Sequence, residues 1–432
     1  MSTLNLIDKY TKLLLSFVAT IMGIIKRQSL KQSVILYFGV ILGAINTLFI
    51  YPFALTTEEL GLFRFLIDTA TLIYPFICLG INQLPVKFFP IFKNESNGHN
   101  GLLVNLLLSF FIGFLIFLVF VFLNKNWILG LFDKKSPLFQ EYLIYVLPLA
   151  GFTILGSYLN QYTWCFKRVA IPEIFNSLYI KIAIPLGALF YFFDYISLNQ
   201  AVCFILFSYL LRVTSFYFYI KILGQWKLKP NFSFLKRPLL KEMSTYAFYG
   251  MMGSIGTILA LQLDVFMVSI LSDGELSDTG VYTIALFIAN VVIIPSKAIT
   301  AIAAPIISQS WTKNNTQKIQ NIYRKSSLNG LIAGIFLMIC IWLSIDDLFR
   351  IMPNGERYDG GKYVVLILGL TKLFDMATSV NQHVIGYSKY FRFNFYAVLI
   401  LAILNIFSNY IFIPIYQING AALATMISLC LY

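Results

Sequence analysis

The chain is 432 residues long, 59% hydrophobic and only 12% charged, with a formal net charge of +13. A soluble domain carries about 25% charged residues, so this composition excludes an ordinary soluble protein and points to a polytopic helical membrane protein. The basic excess suits nucleic acid or an anionic membrane face, and the placement of the charges along the chain decides between them. The five cysteines (Cys78, Cys165, Cys203, Cys340 and Cys430) all lie in apolar stretches without C-x-x-C spacing, and read as small apolar side chains.

Leu13–Ile25 is an apolar run too short to span a bilayer. It lacks a small-x-small cleavage site, and Met22 opens a second basic start with Lys26, Arg27 and Lys31. Met22 is therefore the expected initiator, with a short interfacial helix as the alternative for residues 1–21. Twelve spans follow. The first six are Val34–Leu55, Phe65–Phe89, Leu102–Leu123, Leu138–Phe166, Ile174–Phe193 and Ala201–Leu223. After a basic link come Tyr246–Ser272, Gly280–Ile307, Ser327–Leu343, Tyr363–Tyr387, Asn394–Ile415 and an incomplete one from Gly420. The chain thus divides into an N-terminal extension and basic segment (1–30), an N-lobe (31–223), a cytoplasmic linker (224–245) and a C-lobe (246–432).

Alternating the spans from a cytoplasmic N-terminus puts 21 of the 32 Lys and Arg residues in cytoplasmic segments and seven in or beside outer ones. That bias satisfies the positive-inside rule and makes the basic charge an orientation signal facing anionic lipid, so nucleic acid is not needed to explain it.

The halves echo each other. Gly61, Pro75 and Pro85 match Gly280, Pro295 and Pro305, Asn160-Gln161 matches Asn381-Gln382, and Asn199 matches Asn419, all at offsets of 219–221. Six spans per half is an even number, so the repeats are parallel and substrate is expected between them near the midplane. The fold class expected is all-α: two parallel six-helix lobes around a central cavity.

Charged residues inside spans are costly and mark function by default. Asp264 shares a face of span seven with Gly250, Ser254, Thr257 and Leu261. Lys297 stands on a seven-step stripe of span eight with Thr283 and Asn290. Span two carries Arg64 and Asp68, span ten Lys372, Asp375 and Ser379, span five Lys181, and span six Arg212. Intrahelical pairing of Arg64–Asp68 and Lys372–Asp375, and snorkelling of Lys181 and Arg212, are the bland readings. Five cations against three carboxylates leave an excess of two, which favours an anionic substrate, phosphate above all. The expected substrate contacts are Arg64, Lys181, Arg212, Asn290, Lys297 and Lys372; the expected ion-coupling carboxylates are Asp264 and Asp375, taking H⁺ or Na⁺.

Enzyme signatures are absent: no nucleophile–base set, P-loop or metal-ligand spacing stands out, and no cofactor is expected. His99, in a polar loop, is expected at the solvated surface; His383 is a proton relay or, more simply, a hydrogen-bonded structural histidine.

The segment Met22-Gly-Ile-Ile-Lys-Arg-Gln-Ser-Leu-Lys-Gln-Ser33 resembles the start of bacterial polysaccharide flippases. Asn405, Asn409, Ile413-Pro414, Asn419-Gly420-Ala421-Ala422 and Ala424-Thr425 resemble that family's span eleven–twelve signature. The resemblance implies the multidrug/oligosaccharidyl-lipid/polysaccharide exporter superfamily, with two six-helix lobes in a V, alternating access, and a lipid-linked oligosaccharide flipped across the bacterial inner membrane. Partners implied are membrane lipids, a polysaccharide polymerase and chain-length proteins. Many members have fourteen spans, so about two further helices are expected beyond Tyr432. A drug or cation exporter of the same fold competes with this reading, and the positive cavity disfavours it. A membrane-bound polymerase or acyltransferase is the third reading, disfavoured by short loops.

Overall fold

A computed structural model of the protein describes residues 31, 34–36, 38–130, 137–166, 168–378, 380–388 and 390–431. The expected start at Met22, the basic residues Lys26 and Arg27, Ser379 and the end at Tyr432 lie outside the described residues. Every regular element among the described residues is helical. The N-lobe comprises α1 (Val34–Ala54), α2 (Thr57–Cys78), α3 (Leu84–Phe92), α4 (Leu102–Leu123), α5 (Val146–Cys165), α6 (Ala170–Phe192) and α7 (Leu198–Ile222). The C-lobe comprises α8 (Arg237–Leu271), α9 (Glu275–Val291), α10 (Ile294–Thr312), α11 (Thr316–Ile351), α12 (Lys362–Thr378), α13 (Asn381–Gly386) and α14 (Phe391–Leu431).

Local chemistry sets several boundaries. Thr56 and Glu59 form a capping box on α2: the Glu59 backbone N–H donates to the Thr56 hydroxyl, and the Thr56 N–H to Glu59 Oε2. Ser197 and Gln200 do the same for α7. Glu275 and Asp278 place negative charge on the first turn of α9, where the helix dipole favours it.

Eight helices among the described residues are long and apolar enough to cross a membrane. Expected spans one to six and nine each correspond to one of these helices, and spans eleven and twelve run together in α14. Span seven lies within the 35-residue α8, and spans eight and ten are each divided by a break. Span two, expected over Phe65–Phe89, is interrupted at Leu79 and Gly80, both in the left-handed region (φ 48° and 71°). A Cβ on Gly80 would lie 1.7 Å from Ala247 O of α8, so backbone approaches backbone there and only glycine fits. Span eight breaks at Val292–Ile293, with Pro295 in the first turn of α10. Span ten ends at Thr378 and resumes as α13. α14 is a hairpin: Gln417 (φ 53°, ψ −132°) turns the chain, and a Cβ on Gly420 would lie 2.1 Å from Phe412 O. Eight residues of straight helix would separate that pair by about 12 Å.

The lobes meet where α2 crosses α9. A Cβ on Gly61 would lie 1.7 Å from Leu276 O and 3.1 Å from Gly280 N, and one on Gly280 would lie 2.1 Å from Thr57 O. Thr57 and Ser277 share a hydroxyl–hydroxyl hydrogen bond of 2.7 Å. These contacts are reciprocal about a two-fold axis relating Thr57 to Leu276 and Gly61 to Gly280, the same offset of 219 that the sequence repeat shows. The first turns of both helices meet, so the repeats run in the same direction. α2 also packs on α8, with Phe65 stacked on Phe266 at 6.0 Å, and beyond the break α3 sets the Lys87 ammonium 3.9 Å from the Tyr246 ring centroid with Phe88 edge-on to the same ring.

His99 is not at the surface. It is 1% exposed, packed against Phe89 and Phe166. Its Nδ1 accepts the Asn94 N–H at 3.3 Å, so Nε2 carries the proton and donates to Gln225 Oε1 at 2.8 Å. Around it, Lys227 donates to Glu95 O and Asn231 to Asn100 Oδ1. The loop before α4 is thereby latched to the interlobe linker. Four successive left-handed residues, Gly98 to Gly101, fold the loop inward over the ring.

Candidate functional site

The carboxylate of Asp264, on α8, is buried and 8% exposed. Four donors from two other helices converge on it. Asn405 and Asn409 of α14 donate their amides to Oδ1 at 2.9 and 2.8 Å. The Thr425 hydroxyl, on the returning arm of the same hairpin, donates to Oδ2 at 2.5 Å, and Tyr282 of α9 reaches Oδ2 at 3.4 Å. The hairpin corner at Gln417 makes this possible, because sixteen residues of straight helix would hold Asn409 and Thr425 about 24 Å apart. The corner is itself tied down: Gln417 accepts from the Ser272 hydroxyl and the Asp273 N–H and donates to Asp273 Oδ2.

Oxygens on the elements that hold this carboxylate lack a hydrogen-bond partner among the described residues. Asn409 Oδ1, bonded to the same residue whose amide nitrogen grips Asp264, is buried without a partner, as is Thr283 Oγ1 beside Tyr282 on α9. The Thr425 hydroxyl is also within hydrogen-bond distance of Ala421 O, at 3.1 Å. No basic side chain forms an ion pair with Asp264 among the described residues. The arrangement is a buried polar basket in which four donors from two helices meet one carboxylate.

The other C-lobe charges gather nearby. Lys372 lies within electrostatic reach of Asp375, Asp264 and Lys297. Lys372 and Asp375 are half-buried on α12, which packs on α9 and α14, while Lys297 is exposed on the first turn of α10. The seven-step stripe through Thr283, Asn290 and Lys297 does not exist as one helical face. The break after Val291 puts half-buried Asn290 and Lys297 on different helices.

The N-lobe cations are distributed differently. Arg64 Nε pairs with Asp68 Oδ2 at 2.7 Å, with the arginine side chain 35% exposed and the carboxylate 3%. Lys181 donates to Gly39 O at 2.7 Å, its stem lying along Gly43, and Asn46 clasps the Lys181 carbonyl. Arg212 is 9% exposed and makes no hydrogen bond among the described residues. Glu173, one residue outside the expected span Ile174–Phe193, accepts the Ser177 hydroxyl inside α6 and lies within electrostatic reach of both Lys181 and Arg212. Counting it reduces the interior excess of positive charge from two to one.

Sequence reasoning found Asp264 but not its partners. Asn405 and Asn409 carried a signal, two amides at i and i+4 in an otherwise apolar helix, and Thr425 lay in the same signature. Nothing in the sequence joins them to Asp264, because the junction depends on the turn at Gln417.

Residues 29–311 match the family model described as "Polysaccharide biosynthesis protein", and residues 251–411 match the MatE model. The first match covers well over half of the chain, so the protein belongs to the polysaccharide biosynthesis protein family. Among curated proteins it is 25% identical over 206 residues to "Probable low-salt glycan biosynthesis flippase Agl15" of Haloferax volcanii, covering 47% of this chain and 43% of that one. The match therefore spans less than half the length of that relative. Among solved structures, the lipid II flippase MurJ in an inward closed conformation gives a TM-score of 0.71 at 16% identity, covering 92% of this chain and 85% of MurJ. An inward-facing multidrug resistance MATE transporter of the MOP superfamily gives 0.68 at 13% identity, covering 91% and 92%. An outward-facing MATE structure gives 0.54 at 12%, covering 94% and 92%. The chain is a multi-pass membrane protein with the fold of MOP-superfamily transporters.

Proposed function

We propose that the protein is a flippase that moves a polyprenyl-diphosphate-linked oligosaccharide across a bacterial inner membrane by alternating access, with its N-terminus in the cytoplasm. The family match supports glycan biosynthesis, and the observation that carries the transport reading is the Asp264 basket set beside Lys372 and Lys297. A coupling ion, H⁺ or Na⁺, enters at Asp264; the unpartnered Asn409 oxygen favours Na⁺. Binding there draws α8, α9 and the α14 hairpin together. Tyr282 sits two residues beyond Gly280, so α9 carries the same motion to the α2–α9 seam, the outer closure of the cavity. Lys297 and Lys372 meet the diphosphate, whose charge would otherwise have to enter low dielectric unpaired. Asn290 contacts glycan hydroxyls, Asp375 tunes Lys372, and Arg64 and Lys181 act chiefly by holding the N-lobe. The lipid tail remains in the bilayer, and a polymerase and chain-length proteins receive the product.

Export of surface glycan in cells deleted for the chromosomal copy tests this. Wild-type protein restores it, whereas Asp264→Asn, present at matched level in the membrane, does not. Full restoration by Asp264→Asn with unchanged ion dependence would reduce this carboxylate to a structural role.

A further inference from the structure

We propose that the N-lobe interior holds a second anion site, built on Arg212 and fitted to a phosphate oxyanion. α7 carries Arg212 into the lobe, where its Nε is fully buried without a partner. The guanidinium lies flat over Gly156 of α5: a Cβ there would come within 3.0 Å of Nε, 3.1 Å of Cζ and 3.3 Å of Nη2. The absence of a side chain at Gly156 thus gives the guanidinium its berth. None of the five N–H donors of Arg212 is used by the protein among the described residues.

The charge balance singles out the same residue. Arg64 is matched by Asp68. Lys181 and Arg212 share one nearby carboxylate, Glu173, which already takes the Ser177 hydroxyl. Lys181 has in addition the Gly39 carbonyl. Three interior cations against two carboxylates leave Arg212 as the uncompensated one. Burying such a charge unpaired is costly, and an anion from outside removes the cost.

The neighbouring groups suit a tetrahedral oxyanion. Beside Gly156, Ser157 Oγ shares a 3.0 Å hydrogen bond with the Tyr74 hydroxyl and donates to Asn82 Oδ1 at 3.3 Å. Asn160 stands one turn along the same face of α5 as Gly156, and its side-chain amide nitrogen is a donor of the kind an oxyanion needs. Tyr74 is within electrostatic reach of Arg212. A guanidinium presents two parallel N–H groups to two oxygens of a phosphate, leaving the other oxygens for hydroxyl and amide donors. Phosphate here has two sources, the diphosphate of a lipid-linked glycan or the free ion. The site stands on the surroundings of Arg212, and only its link to the lipid substrate rests on the proposed function.

The test titrates inorganic phosphate into the full chain in nanodiscs and follows binding by calorimetry. Lys297→Gln/Lys372→Gln removes the C-lobe cations and should keep one phosphate-binding step. Adding Arg212→Gln should weaken that step at least about tenfold. Arg212→Lys should keep part of it, and Gly156→Ala should weaken it by crowding the guanidinium. If Arg212→Gln does not yield monodisperse protein, the lysine and Gly156→Ala variants decide. Equal phosphate binding with and without Arg212→Gln, or none in the Lys297→Gln/Lys372→Gln protein, overturns the proposal. In a second arm, polyprenyl diphosphate is added to the nanodiscs. Displacement of phosphate assigns the site to the lipid substrate; retention supports a site for the free ion. Failure of the wild type to flip any lipid-linked glycan would refute the proposed function and leave the phosphate titration standing.

Discussion

Gly61 and Gly280 occupy equivalent places in the two halves, and each lacks a side chain where the other's helix passes. The α2–α9 seam closes through that reciprocity, with the Thr57 and Ser277 hydroxyls bonded across it at 2.7 Å. Cysteines at Thr57 and Ser277 are therefore within disulfide reach in the closed state. Oxidation of the Thr57→Cys/Ser277→Cys protein should cross-link the seam and stop transport, and a reductant should restore it. Transport that continues at full rate in cross-linked protein would show that the seam need not open.

Crowding the seam should also be measurable. Gly280→Ala forces a methyl group against Thr57 O and should cost about 1–3 kcal/mol, as overpacking does. Thermal unfolding in detergent reads this. A melting temperature unchanged from wild type would mean that the helices separate without penalty.

The Asp264 basket predicts coupling between residues far apart in sequence. Asn409→Ala and Asn405→Ala should each raise the cation concentration needed for half-maximal transport, and neither should add much to Asp264→Asn. Additive losses in the double variants would mean that the amides act elsewhere.

Much of this was legible in the sequence, because the signals were local or periodic. Membrane class followed from composition, the parallel repeat from matched Gly and Pro residues, and the burial of Asp264 from its place in an apolar helix. What stayed hidden depended on where backbones approach and turn. The break at Gly80 is set by Ala247, nearly 170 residues away. The split of the Asn290–Lys297 stripe follows from Pro295 opening a new helix, whereas Pro75, its repeat partner, lies inside α2. The same proline in the same repeat position gives two outcomes, and only packing decides which. His99 looked solvated because its loop is polar, but those polar groups bond to one another and to the linker and leave the ring inside.

That latch gives a stability prediction. His99→Ala removes the acceptor for Asn94 N–H and the donor to Gln225 and leaves a cavity among Phe89 and Phe166. It should cost about 1–3 kcal/mol through the unmade hydrogen bonds alone. Proteolysis of the 224–236 linker should accelerate in step. Equal melting and equal cleavage would place the latch outside the folded core.

Arg64 and Asp68 should behave as a pair. Arg64→Gln leaves the Asp68 carboxylate buried without its cation, and Arg64→Gln/Asp68→Asn should recover most of the lost melting temperature. If the double variant melts no higher than Arg64→Gln, the pair does not govern N-lobe stability.

The most direct test of the account is flipping of a lipid-linked oligosaccharide in proteoliposomes, with leaflet position read by an impermeant glycan-modifying probe. Wild type, Asp264→Asn and Lys297→Gln are compared at equal protein per vesicle, with and without an imposed cation gradient. The account predicts flipping by wild type that rises with the gradient, gradient-independent residual flipping by Asp264→Asn, and little flipping by Lys297→Gln under either condition. Equal gradient-driven flipping by all three proteins would contradict it.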